Sequence, residues 1–215
     1  MRGLIRLPEP QILIDRGFTW TNDFINSTKQ RPDSSKYGHD KIRIQLISMS
    51  SCKCFYCESK LTDKPKEVDH HIEVSVKREL SFIWENLYLC CDNCNNKLNH
   101  ATIPIHKALD PCRNDDSEIQ EHLTFVNEMI TSVDGSTLGF NTIQKYRLDS
   151  ELLDKRRITQ LNIFYRVLDS IRQNQIKNGG RKINQSELSL LNRFKQADQP
   201  YSLMFKVILD KLSKS

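Results

Sequence analysis

No apolar run in this 215-residue chain is long enough to cross a bilayer, which takes about 20 predominantly apolar residues. A membrane-spanning role is therefore not expected. An export signal is not expected either, because the opening Met1-Arg-Gly-Leu-Ile-Arg-Leu7 is stopped by Pro8-Glu9-Pro10 before an apolar segment can develop. The cysteine count is seven, an odd number that suits reduced thiols in a cytoplasmic protein better than a disulfide framework. No internal repeat is evident, and the basic C-terminal third lacks the interleaved aromatics of a single-strand stacking platform. What remains is a chain 38% hydrophobic and 27% charged. That composition fits a globular protein, either one compact domain or a small core with helical extensions.

The informative stretch lies between Cys54 and Asn99. It opens with Cys54-Phe-Tyr-Cys57 and ends with Cys91-Asp-Asn-Cys94-Asn95. A CxxC turn brings two thiolates onto one ion, and two such turns complete a tetrahedral four-cysteine zinc site. Residues 58 to 90 between the pairs are too many for the shortest zinc ribbons, so something must be built inside the gap. Cys52, Cys90 and Cys112 are left over. Cys52 offers a competing CxC with Cys54, and Cys90 adjoins Cys91, so the spacing alone leaves the register open.

Inside the gap, Glu67-Val-Asp-His-His-Ile-Glu-Val-Ser-Val76 is rich in β-branched residues and reads as a short strand or hairpin arm. Asp69 and His70 are neighbours there, and on a regular strand their side chains face opposite sides. Trp84-Glu-Asn-Leu-Tyr-Leu89 reads as the next strand. Cys94 to His100 has helical character, with Asn95 and Asn99 four apart on one face. The expected order is strand, strand, helix. Taken singly these residues are ordinary: an Asp-His pair is commonly a surface hydrogen-bonding pair, and Asn residues in turns are commonly caps. Their joint order within two CxxC pairs is what points to a second, catalytic ion.

The pattern resembles the HNH endonucleases of the ββα-metal type. The resemblance rests on the first CxxC, Asp69-His70, Asn86-Leu87, and the second CxxC followed by Asn95. It implies that Asp69 and Asn95, with Asn99, ligate a catalytic Mg²⁺ or Mn²⁺. His70 would be the general base, and Asn86 would hold the His-bearing strand and loop in shape. Cys54, Cys57, Cys91 and Cys94 would bind structural Zn²⁺. Two departures stand out. Glu73 occupies a position where many members carry proline, and His71 permits a His70-His71 reading of the pair. Further, shorter matches lie in Met1 to Pro10, the Cys54-Phe-Tyr-Cys-Glu58 box, Leu109-Asp-Pro111, and Asn141 to Asp149 followed by Leu152/Leu153 and Arg156/Arg157. These are similar to the PtuB-like branch of Septu-type antiphage systems and their retron-associated relatives. That likeness implies a PtuA-like ATPase partner, with a retron reverse transcriptase complex as a further possible partner.

The chemistry holds without the family. A carboxylate and amide oxygens suit a hard cation, and such an ion offsets charge building on a scissile phosphate. Imidazole titrates near pH 6.5, so its neutral form is available to take a proton from water. A site that addresses the phosphate and not the base leaves DNA and structured RNA equally open as substrates. Two alternatives stand beside the defence nuclease: a zinc-stabilised nucleic-acid- or protein-binding module without catalysis, and a stand-alone HNH nuclease.

The expected fold class is α+β, a small zinc-bound ββα-metal core embedded between helical segments. Residues 1–50 read as an extended, proline-bearing lead plus a helix from His39 to Met49. Residues 51–110 form the nuclease core, and 111–215 a mainly helical region. Glu118 to Ile130 reads as mixed; the family resemblance implies an extended segment leading into a turn at Asp134-Gly135. One or two amphipathic helices follow over Leu148–Ile176. Asn178-Gly179-Gly180 is the best linker, Ser186 a helix cap, and the last helix follows Pro200. Charge is uneven. Residues 111–154 carry three Lys/Arg and nine Asp/Glu, whereas 155–215 carry thirteen and four. The basic tail can be a solvated helix face, a set of phosphate contacts, or a dock for an acidic partner.

Overall fold

The computed structural model describes residues 1–63 and 66–212. Nine helices of the described residues enclose two small antiparallel sheets. Helices α1 (Gln11–Ile25), α2 (Ser34–Tyr37) and α3 (Asp40–Ser50) precede the core; strands β1 (Glu67–His70) and β2 (Leu87–Cys90) and the short helix α4 (Asp92–Asn95) form it. Then come α5 (Asp116–His122), the hairpin β3 (Leu123–Val126) and β4 (Met129–Ser132), and helices α6 (Thr137–Tyr146), α7 (Glu151–Lys177), α8 (Gln185–Arg193) and α9 (Ser202–Leu212). The mixed α+β class and the strand–strand–helix core agree with the sequence. No helix of the described residues is long and apolar enough to cross a membrane.

The core is built on a knuckle. Within Cys52–Leu61, the Cys54 amide donates to the Ser59 carbonyl and the Leu61 amide to the Cys52 carbonyl, both at 2.9 Å. The Phe55 amide then donates to the Leu89 carbonyl, also at 2.9 Å, which docks the knuckle on β2. In β1 and β2 the register sets Asp69 opposite Tyr88 and His70 opposite Leu87. Every residue of β2 is buried, so this strand is the floor on which the rest is laid.

Several elements differ from the sequence reading, each for a local reason. The strand expected over Trp84–Leu89 begins at Leu87, because Trp84–Asn86 is a 3-10 turn whose Asn86 amide bonds back to Ile83. The arm expected to Val76 stops at His70, where Asn86 takes over the pairing of the next two residues. The helix expected over Cys94–His100 ends at Asn95; the Leu98 amide is claimed by the Lys145 carbonyl at 2.8 Å and is not free to continue it. Asn95 and Asn99 therefore do not share a helix face. The lead before His39 is not extended throughout, because α1 starts directly after Pro10 and buries Leu13, Gly17, Thr21 and Phe24 along one side. Between Asp116 and Ile130 the chain is a capped helix followed by one hairpin arm and the start of the other, and Gly135, at φ +77°, makes the turn before α6. The α8 cap is Asn184, in a capping box with Glu187, and not Ser186. His39 caps α3, whose Ile42 and Leu46 are fully buried.

The C-terminal helices close onto the knuckle. Phe164, Phe194 and Phe205 form a cluster with ring centroids 5.0–5.3 Å apart. Glu58, buried beside Cys57, accepts from the Ser202 hydroxyl at 2.7 Å and faces the Lys53 ammonium and the Met1 amino group, each at 3.4 Å. Burial raises the Glu58 carboxyl, but these two cations outweigh it and hold the group down at about 2. Breaking a buried ion pair from one side typically costs about 3–5 kcal/mol. Glu58→Ala is expected to lose that much stability in urea unfolding of the full chain; a loss below about 1 kcal/mol, the range of exposed pairs, would contradict the role given to this carboxylate.

Candidate nuclease site

The four thiols expected to share an ion converge. The Sγ atoms of Cys54, Cys57, Cys91 and Cys94 all lie within 4.8 Å of one another, and all four residues are buried. The Cys57 and Cys91 sulfurs are 3.7 Å apart. A tetrahedral zinc with bonds near 2.3 Å sets its sulfurs about 3.8 Å apart, so the spacing fits. Burial pushes the Cys54 and Cys94 thiols well above their ordinary range, a cost that a divalent ion binding the thiolates removes. Cys52 and Cys112 lie outside this cluster. Cys90, although buried, is also excluded from it, which settles the register the spacing left open.

Asp69 comes from the middle of β1 and is 8% exposed. Its Oδ2 accepts from the Tyr56 hydroxyl at 2.8 Å and from the Lys97 ammonium. The same ammonium donates to the His70 carbonyl at 2.6 Å. Neither Tyr56 nor Lys97 was singled out from sequence. Tyr56 carried one signal, its place inside the first CxxC; for Lys97 a single sequence offers none. Asn95 is exposed at the end of α4, which packs against β1. Asn99 is exposed beyond that helix, and its Oδ1 accepts from the amide and the hydroxyl of Thr102, both at 2.9 Å. Asp69 and Asn95 thus sit on two elements in contact, and a carboxylate and an amide oxygen are donor types that suit a hard cation.

His70 faces away from Asp69. Its Nε2 lies 2.9 Å from the Ser81 carbonyl, and the Tyr37 ring meets it edge-on at 4.6 Å between centroids. A carbonyl can only accept, so Nε2 carries the proton and Nδ1 is the basic atom of the neutral ring. The Ser81 carbonyl is thus the group that orients the ring. His71 is different in kind. It is buried, stacked on Tyr88 at 4.3 Å, and 3.4 Å from both the Tyr56 hydroxyl and Asp110. Burial lowers it to about 4, against the pull of Asp110. His71 is thus a buried, stacked packing residue, and His70 is the less buried imidazole of the pair.

Asn86 ties the loop after His70. Its Oδ1 accepts from the Ile72 amide at 2.7 Å, and its Nδ2 donates to the Ile72 and Leu80 carbonyls at 3.0 and 3.1 Å. Its own carbonyl accepts from the His71 amide at 2.9 Å. Glu73, noted from the sequence as a departure from the family pattern, pairs with the fully buried ammonium of Lys145 at 2.8 Å. The outer motifs converge here too. Tyr146 stacks on Tyr56 at 4.2 Å. Asp110 accepts from the Tyr88 hydroxyl at 2.6 Å, and the Leu4 amide donates to the Pro111 carbonyl at 2.6 Å. The basic tail is partly consumed internally, since Lys155, Arg156, Arg157, Arg181 and Arg193 each pair with a carboxylate.

Comparison with known proteins agrees with the motif reading. Residues 52–101 match the model of the HNH endonuclease family. Septu protein PtuB of Bacillus thuringiensis is 32% identical over 99 residues, which are 45% of this chain and 37% of that protein. The chain thus spans well under half the length of this relative. The likeness to HNH endonucleases, and to the PtuB-like branch in particular, is borne out. The expectation of a retron complex gains no support from it.

Asn86→Ala would strand three backbone groups of the 72–80 loop. Each buried polar group left unsatisfied costs about 1–3 kcal/mol. The variant is expected to lose about 2 kcal/mol or more in thermal or urea unfolding, with faster amide exchange at Ile72. Unchanged exchange there would show that Asn86 does not hold the loop.

Proposed function

We propose that this chain is a divalent-metal-dependent HNH endonuclease that hydrolyses nucleic-acid phosphodiester bonds in the cytoplasm, as the nuclease of an antiphage defence system with a PtuA-like ATPase partner. The observation that carries the reading is the pairing on β1. Asp69 and His70 are adjacent and face opposite ways, and the His70 ring is fixed through Nε2 with Nδ1 left basic. The HNH match and the PtuB likeness support it.

In this reading Asp69 and Asn95 hold Mg²⁺ or Mn²⁺. Asn99 joins them only if its carboxamide leaves Thr102. The bound ion would supply charge stabilisation at the scissile phosphate and the leaving oxygen. His70 accepts a proton from the attacking water at Nδ1, and burial, which lowers its pKa, keeps the ring neutral for that task. The Ser81 carbonyl orients the ring. Asn86 keeps the loop carrying Ser81 at a fixed distance from β1, through Ile72 at one end and Leu80 at the other. The four cysteines hold structural Zn²⁺, and the zinc does no chemistry.

Two measurements test the two metal roles separately. Purified protein with Mg²⁺ or Mn²⁺ is expected to cleave plasmid DNA or cellular RNA, and His70→Ala to lose about 10²- to 10⁴-fold in rate while keeping its zinc and its fold. Cleavage persisting at the parental rate would remove His70 as the base. If the parent is silent alone, the same pair of proteins is compared with the ATPase present. Separately, the parent is expected to carry one zinc per chain by elemental analysis, and Cys91→Ser to lose it together with most of its cooperative unfolding. Full zinc in that variant would refute the four-thiol site.

A further inference from the structure

Among the described residues, two hydrogen bonds reach the Asp69 carboxylate; both fall on one oxygen, Oδ2, and one of the two donors is a cation. Lys97 reaches this oxygen from the segment just past α4, with its side chain only 4% exposed. Its second bond, to the His70 carbonyl, anchors the ammonium to β1. Lys145, the other buried ammonium close enough to sense both Asp69 and Lys97, is matched by Glu73. Asp69 with Lys97, and Glu73 with Lys145, therefore form two neutral pairs beside the proposed metal position before any metal arrives. An amide from Asn95 adds no charge.

We infer that Lys97 is a resident counter-cation for Asp69: it opposes divalent-metal binding in the free protein and makes that binding depend on the negative charge of an incoming phosphodiester. The inference rests on the reading of Asp69 as a metal ligand. Affinity for a hard divalent cation follows the number of charged ligands offered, and here the single carboxylate is already neutralised. A phosphodiester adds the missing negative charge, so metal and nucleic acid each strengthen the other's binding by the same factor. Lys97 also fixes which oxygen is spent. Oδ2 is occupied by Tyr56 and Lys97, so Oδ1 is the oxygen available to a metal. Lys97 acts through Asp69 and is a positioning residue.

The test is a Mn²⁺ titration followed by electron paramagnetic resonance, on the zinc-loaded full chain carrying His70→Ala so that nothing is cleaved. Lys97→Met, which keeps the stem and removes the charge, is expected to bind Mn²⁺ on the order of tenfold more tightly than the Lys97 protein, within the usual range of site-to-site coupling. Lys97→Arg should stay weak. Mixed-sequence DNA and RNA oligonucleotides should tighten Mn²⁺ binding in the Lys97 protein and tighten it less in Lys97→Met. If the methionine variant does not fold by thermal melting, Lys97→Gln carries the same expectation. Equal or weaker Mn²⁺ binding without Lys97, or no effect of either oligonucleotide on the Lys97 protein, would overturn the inference. Asp69→Asn separates the two levels. Mn²⁺ binding that survives it refutes Asp69 as a ligand, whereas binding lost with Asp69→Asn but indifferent to Lys97→Met refutes only the role of Lys97.

Discussion

Four buried thiols meeting at one point are the constraint on which the site depends. Cys54 and Cys57 belong to the knuckle, and Cys91 and Cys94 flank the start of α4 just after β2. Bringing them together clamps the knuckle over β2, and that in turn delivers Tyr56 to Asp69. The same clamp sets the direction in which the chain leaves α4, and so the place from which Lys97 returns to β1. Four buried thiols with no ion would be a poor way to stabilise a core. Their convergence is compatible with a metal site in which ion binding adds to folding free energy.

Around that clamp, the periphery is organised to hold β1 and its loop still. Asn86 works from inside the loop, and Arg6 from outside, donating to the Leu87 and Glu85 carbonyls at 2.9 and 3.0 Å. Lys145 joins α6 to both the loop, through Glu73, and the segment after α4, through its carbonyl. Glu58 joins the knuckle to α9. The N-terminal lead, the 109–111 turn and the C-terminal helices are thus parts of one support. In the proposed nuclease that support has a plain purpose: a general base and a metal ligand on adjacent residues are useful only if the strand beneath them does not move.

Much of this was legible in the sequence, for identifiable reasons. CxxC spacing is local chemistry, so two converging cysteine pairs could be read, although which thiols join them was decided only by the fold. The Asp69-His70 adjacency on a β-rich stretch gave two opposite faces, as observed. What escaped were features decided by distant partners. The short α4 depends on a carbonyl in α6, some fifty residues away, taking the amide that a longer helix would have used. The distinction between His70 and His71 depends on burial against Tyr88, which no spacing rule contains. Helix α1 was hidden by the prolines before it, because Pro10 marks the start of a helix as readily as it ends one. Lys97 was invisible as anything but one more lysine. Its role exists only once the chain has folded it back onto Asp69.

The central claim is that this chain holds two cation positions of different chemistry, one of sulfur and one of oxygen. Anomalous diffraction from crystals soaked in Mn²⁺ with a bound oligonucleotide, recorded at the zinc and manganese absorption edges, tests it most directly. The account predicts a zinc peak amid Cys54, Cys57, Cys91 and Cys94, and a separate manganese peak against Asp69 Oδ1 and the Asn95 carboxamide. Manganese absent from Asp69, or found only among the thiols, would contradict it.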